Sequence, residues 1–191
     1  MVSSGGLLPR AVEAELLTRW SEPHRHYHSV SHLEYGLDAL ARLGGERLEV
    51  IAFWCHDAVH SNRTPEDETA STEVARTLLA DVLPADEVDE VCRLIMLTAG
   101  HRVEPGDDAG ARLCDADLSG LGAPWEIYSR NVAGIRAELP QITDEQWKQG
   151  RGAFLRGFLG REWFYSSALG RELWQDQARA NLARELDELT D

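Results

Sequence analysis

The chain has 191 residues, long enough for one domain with a core of its own, and it needs no disulfide staples to fold. It carries 33 Asp plus Glu against 19 Lys plus Arg, a formal net charge of −14. That excess repels polyphosphate backbones and anionic membranes, which speaks against a duplex nucleic-acid binder or a membrane-surface protein.

Apolar residues recur at three- and four-residue intervals, as in Leu33, Leu37, Leu40 and Val88, Val91, Cys92, Ile95, while alternating β-branched runs are scarce. The pattern predicts an all-α chain. In order, it places helices near 9–20, 31–43, 46–60, 67–80, 85–100, 111–119, 124–138, 143–159 and 162–188, with prolines between them. Ser31 with Glu34 and Thr143 with Gln146 have capping-box spacing. The segment 46–60 is apolar on every face and is expected at the centre of a compact multi-helix bundle. Residues from about 140 onward hold no histidine and are expected to pack on that core within a single domain.

Cys55, Cys92 and Cys114 are an odd number of well-separated cysteines in apolar stretches and read as reduced thiols. The first residues lack a signal-peptide pattern, and no uncharged apolar run approaches the ~18 residues of a membrane span. A soluble cytoplasmic protein is expected.

All seven histidines, His24, His26, His28, His32, His56, His60 and His101, lie between positions 24 and 101. His24 and His26 read as a solvated loop after Pro23. His56 and Asp57 are different, because in a buried helix each needs a hydrogen bond or a metal. With His32 and the acidic pair Asp115 and Asp117 they form a nitrogen and oxygen donor set without thiolate, suited to a divalent ion with open positions. His56 and His60 are spaced as in a zincin protease helix, but Asp57 stands where that motif needs the longer glutamate. The six tryptophans read mostly as core residues, and Arg136 and Arg151 as salt-bridged groups.

The strings Arg25-His26-Tyr27-His28-Ser29-Val30-Ser31-His32-Leu33, Ala52-Phe53-Trp54-Cys55-His56-Asp57-Ala58-Val59, Asp67-Glu68-Thr69-Ala70-Ser71, Leu97-Thr98-Ala99-Gly100-His101 and Leu113-Cys114-Asp115-Ala116-Asp117-Leu118 follow one another in order. In this the chain resembles the HD-domain metal-dependent phosphohydrolase superfamily, and within it the branch opening with R-x-Y-H-x-x-x-H. The resemblance implies metal ligands His32, His56, Asp57 and Asp117, with His28 competing for the first place and Asp115 orienting an imidazole from behind. It implies one divalent ion (Mn, Mg, Fe, Co, Ni or Zn) and room for a second, with His101 and Glu68 or Asp67 in the matching region. The branch's aromatic is replaced by His60.

The expected chemistry is hydrolysis of a small phosphate ester, such as a nucleotide, by metal-activated water. Asp57, Glu68 and His101 would be catalytic, and Arg25 and His28 would meet the phosphate. Two other classes share the donor set: an iron-dependent oxygenase and an effector-binding protein without activity.

Overall fold

Proline lacks an amide hydrogen, so it costs nothing at a position where that hydrogen would be unpaired. Pro9, Pro65, Pro84 and Pro124 stand immediately before four of the helices. The computed structural model describes residues 2–190 and contains α1 (Arg10–Trp20), α2 (Val30–Arg42), α3 (Arg47–Cys55), α4 (Glu66–Leu79), α5 (Ala85–Thr98), α6 (Asp108–Asp117), α7 (Trp125–Ala137), α8 (Asp144–Leu159) and α9 (Ala168–Thr190). A short 3-10 helix, Leu118–Gly122, continues α6. No strand occurs among the described residues, so the chain is an all-α bundle.

The apolar α3 lies at the centre, packed against α2, α4, α5 and α6. Ile51, Ala52, Phe53, Trp54 and Cys55 are fully buried. Around this frame α6 leans on α2 and α5, while α9 packs on the 3-10 helix, α8 and α6. Trp20, Trp54 and Trp174 are core residues, as expected, whereas Trp163 is exposed. No helix among the described residues is long and apolar enough to cross a membrane.

Four boundaries differ from the sequence expectation, each for a local reason. The helix expected over 46–60 ends at Cys55. Beyond it, the Arg25 guanidinium takes the carbonyls of Asp57 at 2.8 Å and Ala58 at 3.4 Å, and Ser71 Oγ takes the Val59 amide. Helix α2 begins after Ser29 without a side-chain cap, so the Ser31–Glu34 box does not form; the Ser31 hydroxyl pairs with that of Ser29 instead. Helix α6 starts at Asp108, earlier than expected, because the Asp107 carboxylate accepts the Gly110 amide. Helix α9 starts at Ala168, later than expected, because the Ser166 and Ser167 amides are held by Asp115. The Thr143–Gln146 capping box forms as read.

Close approach of α2 to α3 requires the absence of a side chain at Gly36, where a Cβ would stand 1.9 Å from Phe53 Cζ. Phe53 contributes its carbonyl to the site described below, so this contact sets both packing and chemistry. Gly36→Ala is expected to destabilise the fold by about 1–3 kcal/mol, the usual cost of overpacking. Urea unfolding of the two proteins measures it.

Candidate metal centre

Four side chains from three places in the fold converge where α2, the end of α3 and the end of α6 meet. His32 comes from the first turn of α2, His56 and Asp57 follow α3 directly, and Asp117 is the last residue of α6. Asp117 Oδ1 lies 3.0 Å from His32 Nε2 and 3.4 Å from His56 Nε2. Asp57 Oδ2 lies 3.3 Å from His56 Nε2 and 4.0 Å from His32 Nε2. Each carboxylate thus reaches both imidazoles. For bonds of about 2.0–2.3 Å to one ion, neighbouring donors stand about 3 Å apart and opposed ones somewhat over 4 Å. The donor separations match that spacing, and His32, His56 and Asp57 form a group able to hold a metal ion.

The donors are aimed by their surroundings. The Phe53 carbonyl, which can only accept, takes the Nδ1 hydrogen of His56 at 2.8 Å. Nε2 points at the two carboxylates, and in the neutral ring it would be the lone-pair nitrogen open to a cation. His56 Nε2 and Asp57 Oδ2 are both buried and without a hydrogen-bond partner, so a bound ion or water between them would satisfy both. His101 Nε2 meets the other oxygen of Asp117, Oδ2, at 2.7 Å and fixes the carboxylate's rotation. His101 follows α5 with φ of 50°, a left-handed backbone that places its ring beside α6.

Electrostatics agree. Burial alone would push the His56 imidazole down, but the Asp57 and Asp117 carboxylates outweigh it and hold the proton well above the usual histidine range. Burial would likewise raise both carboxyls, yet His56 together with the neighbouring imidazoles keeps Asp57 and Asp117 well below the ordinary carboxylate value. Two buried negative charges draw in positive charge, whether protons or a divalent ion.

The other expected site residues divide. Arg25 is the clearest departure: its side chain is fully buried, and its guanidinium holds Glu22 and the carbonyls of His28, Asp57 and Ala58. It braces the turn that carries Asp57 and has no face left for a phosphate. Asp115 does not orient an imidazole; it accepts the Ser166 and Ser167 amides at 2.6 and 2.8 Å and anchors the start of α9. The Asp67 carboxylate is taken up by the Ser61 and Arg63 amides. His60 is not a turn above His56 on a helix, since α3 has ended; its ring stacks on His28 at 3.9 Å. The zincin spacing is therefore not realised.

His28 is organised by a residue that sequence reading did not single out. Glu138, just past α7 and fully buried, accepts the backbone amides of His26, Tyr27 and His28 on Oε1 and His28 Nδ1 on Oε2 at 2.7 Å. The His60 Nε2 atom stands 3.4 Å from Oε2. These three groups could also hold an ion, but the rings are stacked and the carboxylate is already saturated with amide donors. Nothing local in the sequence links position 138 to position 28.

Asp57, Asp117 and His101 open onto a cavity of about 600 Å³. His28, His60 and Glu68 share this wall, and Leu139, Phe154, Phe158 and Arg161 face it from the α8 side. Glu68 Oε1 accepts the Thr64 hydroxyl, whereas its buried Oε2 is unpartnered. Asn62 and His101, the two non-glycine residues with positive φ among the described residues, both line this cavity. Left-handed backbone concentrated there fits a site whose geometry is imposed by its surroundings.

No family model matches the chain, and neither a curated protein nor a solved structure matches it.

Asp117→Ala is expected to abolish binding of Mn(II) by calorimetry, whereas Asp115→Ala leaves it in place and lowers stability by about 1–3 kcal/mol through two orphaned amides. The reverse ranking would move the ligand to Asp115.

Glu138 yields a pH dependence. Burial would raise its carboxyl, but hydrogen bonds from His28, His60 and the backbone amides hold it far below the ordinary glutamate value. A depressed folded pKa gives stability that is complete above the unfolded value of about 4.3 and is lost as pH falls below it toward the folded value. Glu138→Gln should therefore cost about 1.5–3 kcal/mol at pH 7. The gap to wild type should narrow in urea melts below pH 4.

Proposed function

We propose that this protein is a metal-dependent phosphohydrolase of the HD-domain type, acting on a small phosphate ester. The observation that carries the reading is the convergence of His32, His56, Asp57 and Asp117, with two unpartnered donor atoms, where Asp57 and Asp117 line an open cavity. The ordered motifs from Arg25 to Leu118 support it.

His32, His56, Asp57 and Asp117 would hold a divalent ion, which would supply a water of lowered pKa and positive charge for a phosphoryl oxygen. The chain's own groups do the rest. Phe53 and His101 hold His56 and Asp117 in place, so no reorientation is needed when substrate enters. Glu68, which lines the same cavity and has an unpartnered Oε2, would take a proton from the attacking water. His28 donates Nδ1–H to Glu138, and burial, opposed by the Glu138 and Asp57 carboxylates, lowers its pKa from the usual histidine value, which favours the neutral ring. Its Nε2 is then a hydrogen-bond acceptor on the cavity side of the pair, suited to a water or a protonated phosphate oxygen. The reaction joins the water oxygen to phosphorus, breaks the bond from phosphorus to the ester oxygen, and delivers a proton to the departing alcohol. No oxidant or reductant is involved.

The test is release of phosphate from p-nitrophenyl phosphate by protein loaded in turn with Mn, Mg, Co and Ni, with bound metal verified by elemental analysis. Turnover is expected to need metal and to be lost in His56→Ala. Metal-loaded protein that releases phosphate from no ester in a broad panel would overturn the proposal.

A further inference from the structure

With Arg25 committed to backbone carbonyls, an anionic substrate needs another cation. Among the residues lining the 600 Å³ cavity, Arg161 is the one arginine or lysine. It sits just past the end of α8, and its guanidinium rests 4.1 Å from the ring of buried Phe158. No carboxylate pairs with it among the described residues, in contrast to Arg151, which is locked bidentately onto Glu185.

The backbone under Arg161 is held firmly. Its amide donates to Phe158 O at 2.9 Å, and Arg179 on α9 grips the same loop through the carbonyls of Leu159, Arg161 and Glu162. A fixed backbone, an aromatic ring beside it and no paired carboxylate describe a guanidinium available to an anion. It faces the same space as Asp57, Asp117 and His101.

Charge limits what that anion can be. Four carboxylates line the cavity: Asp57, Asp67, Glu68 and Asp117. A divalent ion on the donor cluster would cancel Asp57 and Asp117, and Asp67 is already met by the Ser61 amide and hydroxyl and the Arg63 amide, which leaves Glu68 and Arg161 as the charges facing an entering anion. One guanidinium then serves one phosphoryl group, and each further phosphoryl would bring negative charge that no side chain meets.

We propose that Arg161 is the anion-binding residue of this site and that the substrate is a phosphomonoester bearing a single phosphoryl group rather than a di- or triphosphate. This rests on the phosphohydrolase reading above.

The test uses the full chain loaded with Mn(II), with metal content measured for every variant. Inorganic phosphate is titrated by calorimetry, and phenyl phosphate and phenyl diphosphate are then compared as competitors. Arg161→Ala should weaken phosphate binding about ten- to a hundredfold, the worth of a charge-assisted contact, with metal content and melting temperature near wild type. Arg161→Lys, which keeps the charge but loses the planar fork, should fall between. Arg130→Ala tests the rival cation: Arg130 lines a second cavity together with His32, Tyr27 and Tyr35, and the variant should leave binding unchanged. Phenyl phosphate should displace phosphate more tightly than phenyl diphosphate.

Wild-type phosphate affinity in Arg161→Ala, or loss in Arg130→Ala instead, overturns the assignment while leaving the phosphohydrolase reading intact. Tighter binding of the diphosphate overturns the single-phosphoryl limit. Metal-loaded wild type that binds none of the three anions defeats the phosphohydrolase reading itself, and this inference with it.

Discussion

Two carboxylates, Asp57 and Asp117, are drawn against the same pair of imidazoles in a largely buried place, and they cannot both stay ionised there without positive charge between them. Much of the architecture serves to hold this arrangement. Helix α3 is apolar on all sides because it must occupy the centre of the bundle, and it stops where the polar pair begins. Its last turn supplies the Phe53 carbonyl that orients His56, and Gly36 lets α2 come close enough to bring His32 alongside.

The segment before α2 is fastened by two oppositely charged struts. Arg25 ties residues 22–28 to the turn at Asp57 and Ala58, so the position of the Asp57 carboxylate depends on a guanidinium that touches no side chain of the donor cluster. Glu138 fastens the same segment from the other side through three consecutive amides and the His28 ring. Both are buried, so their hydrogen bonds replace hydration that folding removes, and loss of either would leave donors or carbonyls without partners. A protein of net charge −14 can present an anion site under these conditions because the field in the cavity is set by local groups rather than by the total.

The all-α class, the order and approximate extent of the helices, and the burial of 51–55 were legible in the chain, because apolar periodicity and proline punctuation are local properties, whereas Glu46 and Arg47 at the start of the same segment are exposed. The cluster of His32, His56, Asp57 and Asp117 was legible as a donor set, since buried polar residues in an apolar helix demand partners and the ordered motifs name them. Where a helix stops was less so. Cys55 ends α3 because side chains remote in sequence, Arg25 and Ser71, compete for the next carbonyls and amides. The roles of Arg25 and Asp115 likewise depended on contacts that no spacing encodes.

What the sequence by itself determined is therefore the kind of element at each stretch and the inventory of chemistry it carries. Tertiary structure decided which members of that inventory face the cavity. Arg25 and Arg161 are equally basic on paper, but a guanidinium's function depends on what already occupies its five donors. For Arg25 these are carbonyls of the adjoining turn, and for Arg161 an aromatic ring and an open cavity. Glu138 acquires its importance only because the end of α7 lands beside residues 26–28, more than a hundred positions away in the chain. Contacts of that range are set by the packing of whole helices, so the residues that aim a site are the last to be visible in the sequence.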